Sequence, residues 1–98
     1  MSQVRKGIEN MLTKNFVMNC AEGFHLRPAQ VLMEKATPFQ SRIMLGKPGQ
    51  EEADAKSILG LMSLGIEQGE IVEVVVEGRD ETEAMAVVEK LFETNFGE

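Results

Sequence analysis

Glu70-Ile71-Val72-Glu73-Val74-Val75-Val76-Glu77 is the stretch that decides the fold. Five β-branched residues crowd into it, and such side chains suit a pleated, half-buried surface better than a helix, where they lose rotamer freedom. Glu73 and Glu77 mark its wet face, so the run predicts a strand. Gly78 and Arg79 close it. From Asp80 onward Ala84, Val87, Val88, Leu91 and Phe92 recur at the spacing of one buried helical stripe. Glu83 follows Asp80 at the third position, a capping-box-like pattern that makes Asp80 the predicted N-cap of a closing helix.

Working back along the chain, Lys14 to Cys20 alternates, with Phe16, Met18 and Cys20 on one side, and predicts a strand with one buried face. Ala21-Glu22-Gly23 turns the chain. Ala29, Leu32, Met33 and Ala36 then give Leu26 to Thr37 a helical period, and Pro28 sits in the first turn, where a residue without an N–H is accepted. His25 falls at the N-cap. Arg42 to Leu45 offers Ile43 and Leu45 to one face before the turn at Gly46-Lys47-Pro48-Gly49, and a third short strand is expected near Glu51 to Asp54. Lys56 to Ile66, interrupted by Gly60 and Gly65, supports a short helix or nothing regular. On a helical wheel Leu61 and Leu64 form one arc and Ile58, Leu59 and Met62 another, so one arc is core and the other is left over. Met18, Met33 and Met44 are expected in the core. The order strand, helix, strand, strand, helix, strand, helix predicts an α+β domain with helices covering one face of an antiparallel sheet.

Residues 1–13 show no firm periodicity and are expected to be a mobile N-terminal extension, with residues 14–98 forming a single domain. Across the 98 residues, 16 acids against 10 bases give a net charge of -6, which argues against a nucleic-acid binder. The charge is unevenly spread: residues 66–98 carry ten acids and two bases, and residues 1–65 carry six acids and eight bases. One cysteine, Cys20, precludes an internal disulfide, and one histidine precludes the usual structural zinc site. Apolar runs are too short for a membrane span, and Arg5 and Lys6 are not followed by a signal-type apolar core, so a cytoplasmic location is expected, without metal, cofactor or membrane partner.

Chemistry concentrates in Gly23-Phe24-His25-Leu26-Arg27-Pro28-Ala29. A histidine at a helix N-cap lies beside backbone N–H groups without intrahelical partners, which together with the helix dipole attract an anion. Arg27 brings a planar guanidinium whose donors match phosphate oxygens. Imidazole is a nucleophile at neutral pH, so the set describes a transient phosphohistidine site. The plainer reading is a solvent-exposed turn histidine. For Ser57, likewise, an N-cap role worth ~1 kcal/mol explains the residue without regulation.

Gly23 to Ala29 resembles the active-site signature of the HPr family, the histidine-containing phosphocarriers of the bacterial phosphoenolpyruvate-dependent phosphotransferase system. Lys56-Ser57-Ile58-Leu59-Gly60-Leu61-Met62-Ser63-Leu64-Gly65-Ile66 independently resembles that family's regulatory serine segment. The similarity spans roughly residues 14–96. It implies an open-faced β-sandwich of βαββαβα order, three helices over a four-stranded antiparallel sheet. It further implies that His25 accepts a phosphoryl group on its δ nitrogen from enzyme I and passes it to an enzyme IIA-type acceptor, with Arg27 steadying the group. The protein would then be a carrier and substrate of enzyme I, not an enzyme. Ser57 would be the target of a serine kinase and phosphorylase, placing about -1.5 to -2 charges beside a docking patch of Leu26, Ile58, Leu59 and Met62. Leu26 stands where the family usually has alanine, and Glu34, Thr37 and Gly60 where several sugar-system members carry lysine. The ending Leu91 to Phe96 is closer to the nitrogen-related branch and the Ser57 segment to the Gram-positive regulatory type. Two other readings stay open: an HPr-like adaptor that signals carbon or nitrogen status by binding a transcription regulator or enzyme, and a small-molecule-binding α+β domain.

Overall fold

A computed structural model describes residues 11–98. Strand β1 spans Met11–Val17, helix α1 Leu26–Ala36, β2 Arg42–Gly46, β3 Glu52–Asp54, α2 Ile58–Met62, β4 Ile71–Glu77 and α3 Glu81–Glu93, with a short turn of 3-10 type at Asn95–Gly97. The strands form one antiparallel sheet in the order β1-β4-β2-β3. Three helices cover one face, giving the expected open-faced sandwich.

The β-branched run is the centre of this sheet. β4 pairs on one side with β1 (Phe16 opposite Val72, Lys14 opposite Val74) and on the other with β2 (Ile43 opposite Val76, Leu45 opposite Val74). Val72, Val74 and Val76 are fully buried under the helices, whereas Ile71 on the opposite face is exposed. Burying each of those valines contributes about 1.5–3 kcal/mol. Strand β1 stops at Val17, short of the expected Cys20, yet the same alternation carries Leu12 and Phe16 of β1 and then Met18 and Cys20 beyond it inward, and Phe16 stacks on Phe92 of α3 at 4.6 Å between ring centroids. α1 contributes Pro28, Ala29, Leu32 and Ala36 to the core, and α3 contributes Ala84, Met85, Val88, Leu91 and Phe92.

Strand β1 already includes Met11, three residues before the expected domain boundary. Leu12 packs against the core and pairs opposite Val76, which extends the ladder beyond what the polar Thr13-Lys14-Asn15 stretch suggests. The rest of the expected extension, residues 1–10, lies outside the described residues. Met33 and Met44 are half-buried rather than core; only Met18 of the three is enclosed, and Met85, which the periodicity passed over, is buried.

Asp80 does stand at the N-cap of α3, but its side chain makes no cap hydrogen bond. Its carboxylate instead accepts from the backbone N–H groups of Gln40 and Ser41, both at 2.9 Å, and from the Ser41 hydroxyl. Three donors at the start of β2 outweigh one or two at the helix, so the capping-box expectation fails while the helix start stands.

Candidate functional site

The loop that carries His25 is fixed by its backbone before any side chain is considered. Gly23 N–H donates to Cys20 O and His25 N–H to Gly23 O, each at 2.9 Å, closing two tight turns in succession. Gly23 has φ +72°, and a Cβ there would lie 2.4 Å from the carbonyl oxygen of Ile66. Only glycine lets this backbone come so close, and the approach allows Phe24 N–H to donate to Ile66 O at 2.9 Å. The segment after α2 therefore holds the loop that precedes α1.

His25 is the N-cap of α1, in extended conformation (φ -88°, ψ -172°), and its side chain makes no cap hydrogen bond. Its carbonyl accepts from Ala29 N–H at 3.1 Å, the first bond of the helix. The opening N–H groups of Leu26 and Arg27 have no carbonyl four residues back within the helix, and Pro28 has no N–H to offer. Donors and positive helix end thus face the space beside a half-buried imidazole. Arg27 is exposed, and among the described residues no salt bridge ties down its guanidinium. His25, Arg27 and the amides that the sequence associated are therefore together at one helix end.

A carboxylate missing from the sequence reading completes the surroundings. Glu98 Oε2 lies 3.3 Å from His25 Nε2, with the two side chains 26% and 32% exposed. Glu98 arrives there through a left-handed turn: Asn95, Phe96 and Gly97 have φ of 57°, 56° and 81°. A phenylalanine in that conformation costs roughly 1–2 kcal/mol. Burial offsets this, because Phe96 is 4% exposed and packs between Phe24 (5.7 Å) and Phe92 (4.9 Å, edge to face). Nothing in the pattern of Thr94-Asn95-Phe96-Gly97 other than the final Asn and Gly signals such a turn.

Ser57 is the N-cap of α2, and its hydroxyl oxygen accepts from Gly60 N–H at 3.1 Å. Its own N–H donates to Asp54 O at 2.9 Å. The side chain before it is also tied, Lys56 Nζ donating to Phe39 O at 2.6 Å. The division of the α2 segment into two arcs holds: Leu61 is fully buried and Leu64 partly so, while Leu59 is 83% and Met62 41% exposed. Ile58 is half-buried. α1 and α2 pack against one another, and Leu26 at the start of α1 is 52% exposed. Exposed aliphatic side chains thus project from both helices. No helix of the described residues is long and apolar enough to cross a membrane.

Known proteins resemble the chain over most of its length. The family model described as "PTS HPr component phosphorylation site" matches residues 12–94. The chain is 42% identical over 82 residues to the phosphocarrier protein HPr of Treponema pallidum, covering 84% of this chain and 91% of that protein. It is 40% identical over 75 residues to the HPr-like protein Crh of Halalkalibacterium halodurans, covering 76% and 88%. Among solved structures, the HPr-C-His crystal structure from Thermoanaerobacter tengcongensis superposes with a TM-score of 0.83 at 38% identity, covering 89% of this chain and 97% of that one.

Proposed function

The chain belongs to the HPr family of phosphocarrier proteins, and from that premise we propose that His25 accepts a phosphoryl group from enzyme I and hands it to an enzyme IIA-type acceptor. The observation that carries the assignment is the placement of His25 at the N-cap of α1, its side chain unused in capping, beside the open amides of Leu26 and Arg27. The amides and the Arg27 guanidinium bind the phosphoryl oxygens, and the imidazole supplies the attacking lone pair. The N–P bond forms as the donor's bond to phosphorus breaks, and transfer to the acceptor reverses the step.

Leu26, Ile58, Leu59 and Met62 form the docking patch in this reading, supported by the exposure of Leu59 and Met62, which the core does not require. Phosphorylation of Ser57 by a serine kinase would put a dianion at the edge of that patch and oppose docking. The proposed location is the cytoplasm, where such partners meet.

Incubation with phosphoenolpyruvate and enzyme I tests the carrier reading. The expected product is an acid-labile phosphoryl adduct on the wild-type protein and none on His25→Ala; an unchanged adduct in that variant would overturn the assignment. The similarity to an HPr-like protein named Crh favours a second reading, a regulatory adaptor that binds a transcription regulator or enzyme. That reading predicts altered regulation with intact sugar uptake when the gene is deleted.

A further inference from the structure

We propose that the phosphoryl donor docking on α2 meets it through an uncharged, apolar face, so that docking proceeds without electrostatic steering and accepts no charge of either sign at its centre. The inference rests on the reading of Leu26, Leu59 and Met62 as the docking patch, and it names the chemistry of the partner that fits them.

From Ser57 to Ile66 ten consecutive residues carry no charge. Helix α2 accordingly has no acid in its first turn and no base in its last. The polar groups that border its exposed side chains are turned onto the protein itself. Ser57 Oγ accepts from Gly60 N–H at 3.1 Å, and Ser63 Oγ donates to Gly60 O at 2.7 Å. The cation that precedes the helix, Lys56, has its ammonium on Phe39 O at 2.6 Å. What α2 offers outward is therefore Leu59 and Met62, both exposed.

Helix α1 continues this surface. Residues four, seven and eleven positions after Leu26 share its side of the helix, and these are Gln30, Met33 and Thr37. None is charged, and the Thr37 hydroxyl is returned to Met33 O at 2.7 Å. Lys35 falls half a turn round the helix from Leu26. Charge enters only on the adjacent row, where Arg27 and Glu34, seven residues apart, are of opposite sign and Arg27 belongs to the phosphoryl site.

A charged group of the partner set against Leu59 and Met62 would lose its water and find neither a counter-ion nor a hydrogen bond, a cost that does not depend on its sign. An apolar face instead gains by covering exposed aliphatic surface. The same asymmetry describes how a phosphate on Ser57 would act: its own dehydration opposes docking, with no acidic partner needed to repel it.

Steady-state phosphorylation of the full chain by phosphoenolpyruvate and enzyme I at low ionic strength, where charges act furthest, reads docking in KM and chemistry in kcat. Leu59 is 83% exposed, so its replacement leaves the fold intact. Leu59→Gln is expected to raise KM several-fold. Leu59→Glu and Leu59→Lys should each raise it further, to about tenfold or more above wild type, with kcat near wild type in all three. A KM for Leu59→Lys below that of Leu59→Gln would reveal an acidic partner face and overturn the proposal. A KM for Leu59→Glu below that of Leu59→Gln would reveal a basic face and overturn it equally. Wild-type KM in all three variants would remove the docking patch, and the proposal with it, while leaving His25 as the acceptor. Continued phosphorylation of His25→Ala would instead sink the carrier reading.

Discussion

Ser41 and Asp80, thirty-nine positions apart, are joined by two hydrogen bonds, from the backbone N–H and the hydroxyl of Ser41 to one carboxylate oxygen. The Ser41 side chain is fully buried and tethers the start of β2 to the start of α3. The Ser41 hydroxyl, with the Gln40 N–H next, holds the Asp80 carboxyl below its ordinary value.

A carboxylate depressed on folding adds stability above its unfolded pKa and loses it as pH falls through the folded one. Ser41→Ala is therefore expected to lower stability at neutral pH in urea unfolding. Its loss of stability on acidification below about pH 4 should be shallower than that of the wild type. Equal acid slopes in the two proteins would refute the linkage.

Ser57 separates capping from charge. Ser57→Ala removes the acceptor for Gly60 N–H and should cost about 1 kcal/mol while leaving phosphoryl transfer nearly intact. Ser57→Asp keeps a capping oxygen, so stability should stay close to wild type, yet transfer from enzyme I should fall by an order of magnitude or more. Leu59→Asp, at a position 83% exposed, should behave as Ser57→Asp does if that surface is the docking patch. Wild-type transfer rates in both charged variants would remove the patch from the mechanism.

Gly23→Ala tests the loop. A methyl group 2.4 Å from Ile66 O, on a backbone with φ +72°, forces either the loop or the segment after α2 to move. We expect destabilisation of at least about 2 kcal/mol and loss of slow amide exchange at Phe24, whose N–H donates to Ile66 O. Retained protection at Phe24 would show that the approach is not essential.

Cys20 makes an alkaline prediction. Burial, and after it the Glu98 carboxylate, push its thiol up to about 11. A raised pKa means that the folded state prefers the thiol, so this contribution is complete below 9.0 and declines as pH rises toward 11. Cys20→Ala should flatten the fall in stability across that interval, and thiol reagents at neutral pH should modify the wild-type residue far more slowly than a free cysteine. Rapid labelling of folded protein would contradict it.

Much of this architecture was legible because it follows from local periodicity. The β-branched run at Ile71 to Val76, the stripe from Ala84 to Phe92 and the two arcs around Leu61 each carry their burial pattern within a few residues. His25 and Arg27 were legible for the same reason, being neighbours at one helix start. Long-range polar contacts were not. Asp80 looks like a cap in sequence because nothing local announces the buried Ser41, and Glu98 looks like one more surface acid because the left-handed turn that carries it to His25 is held by Phe96 packing on Phe92 and on the distant Phe24. The uneven charge does not describe the site either, since the acid-rich segment 66–98 delivers one of its carboxylates to His25.

The central position of β4 has a consequence for biosynthesis. The strand that joins β1 to β2 is the last strand in sequence, so a nascent chain can form the β2–β3 hairpin early but cannot assemble the sheet until Glu77 has been added. β1 meanwhile waits with an unpaired edge for a partner at the far end of the chain, the kind of distant pairing that slows folding. Acquisition of the native sheet is thus tied to the synthesis of β4. Fragments cut short before Ile71 should be degraded or aggregate rather than persist as partly working carriers.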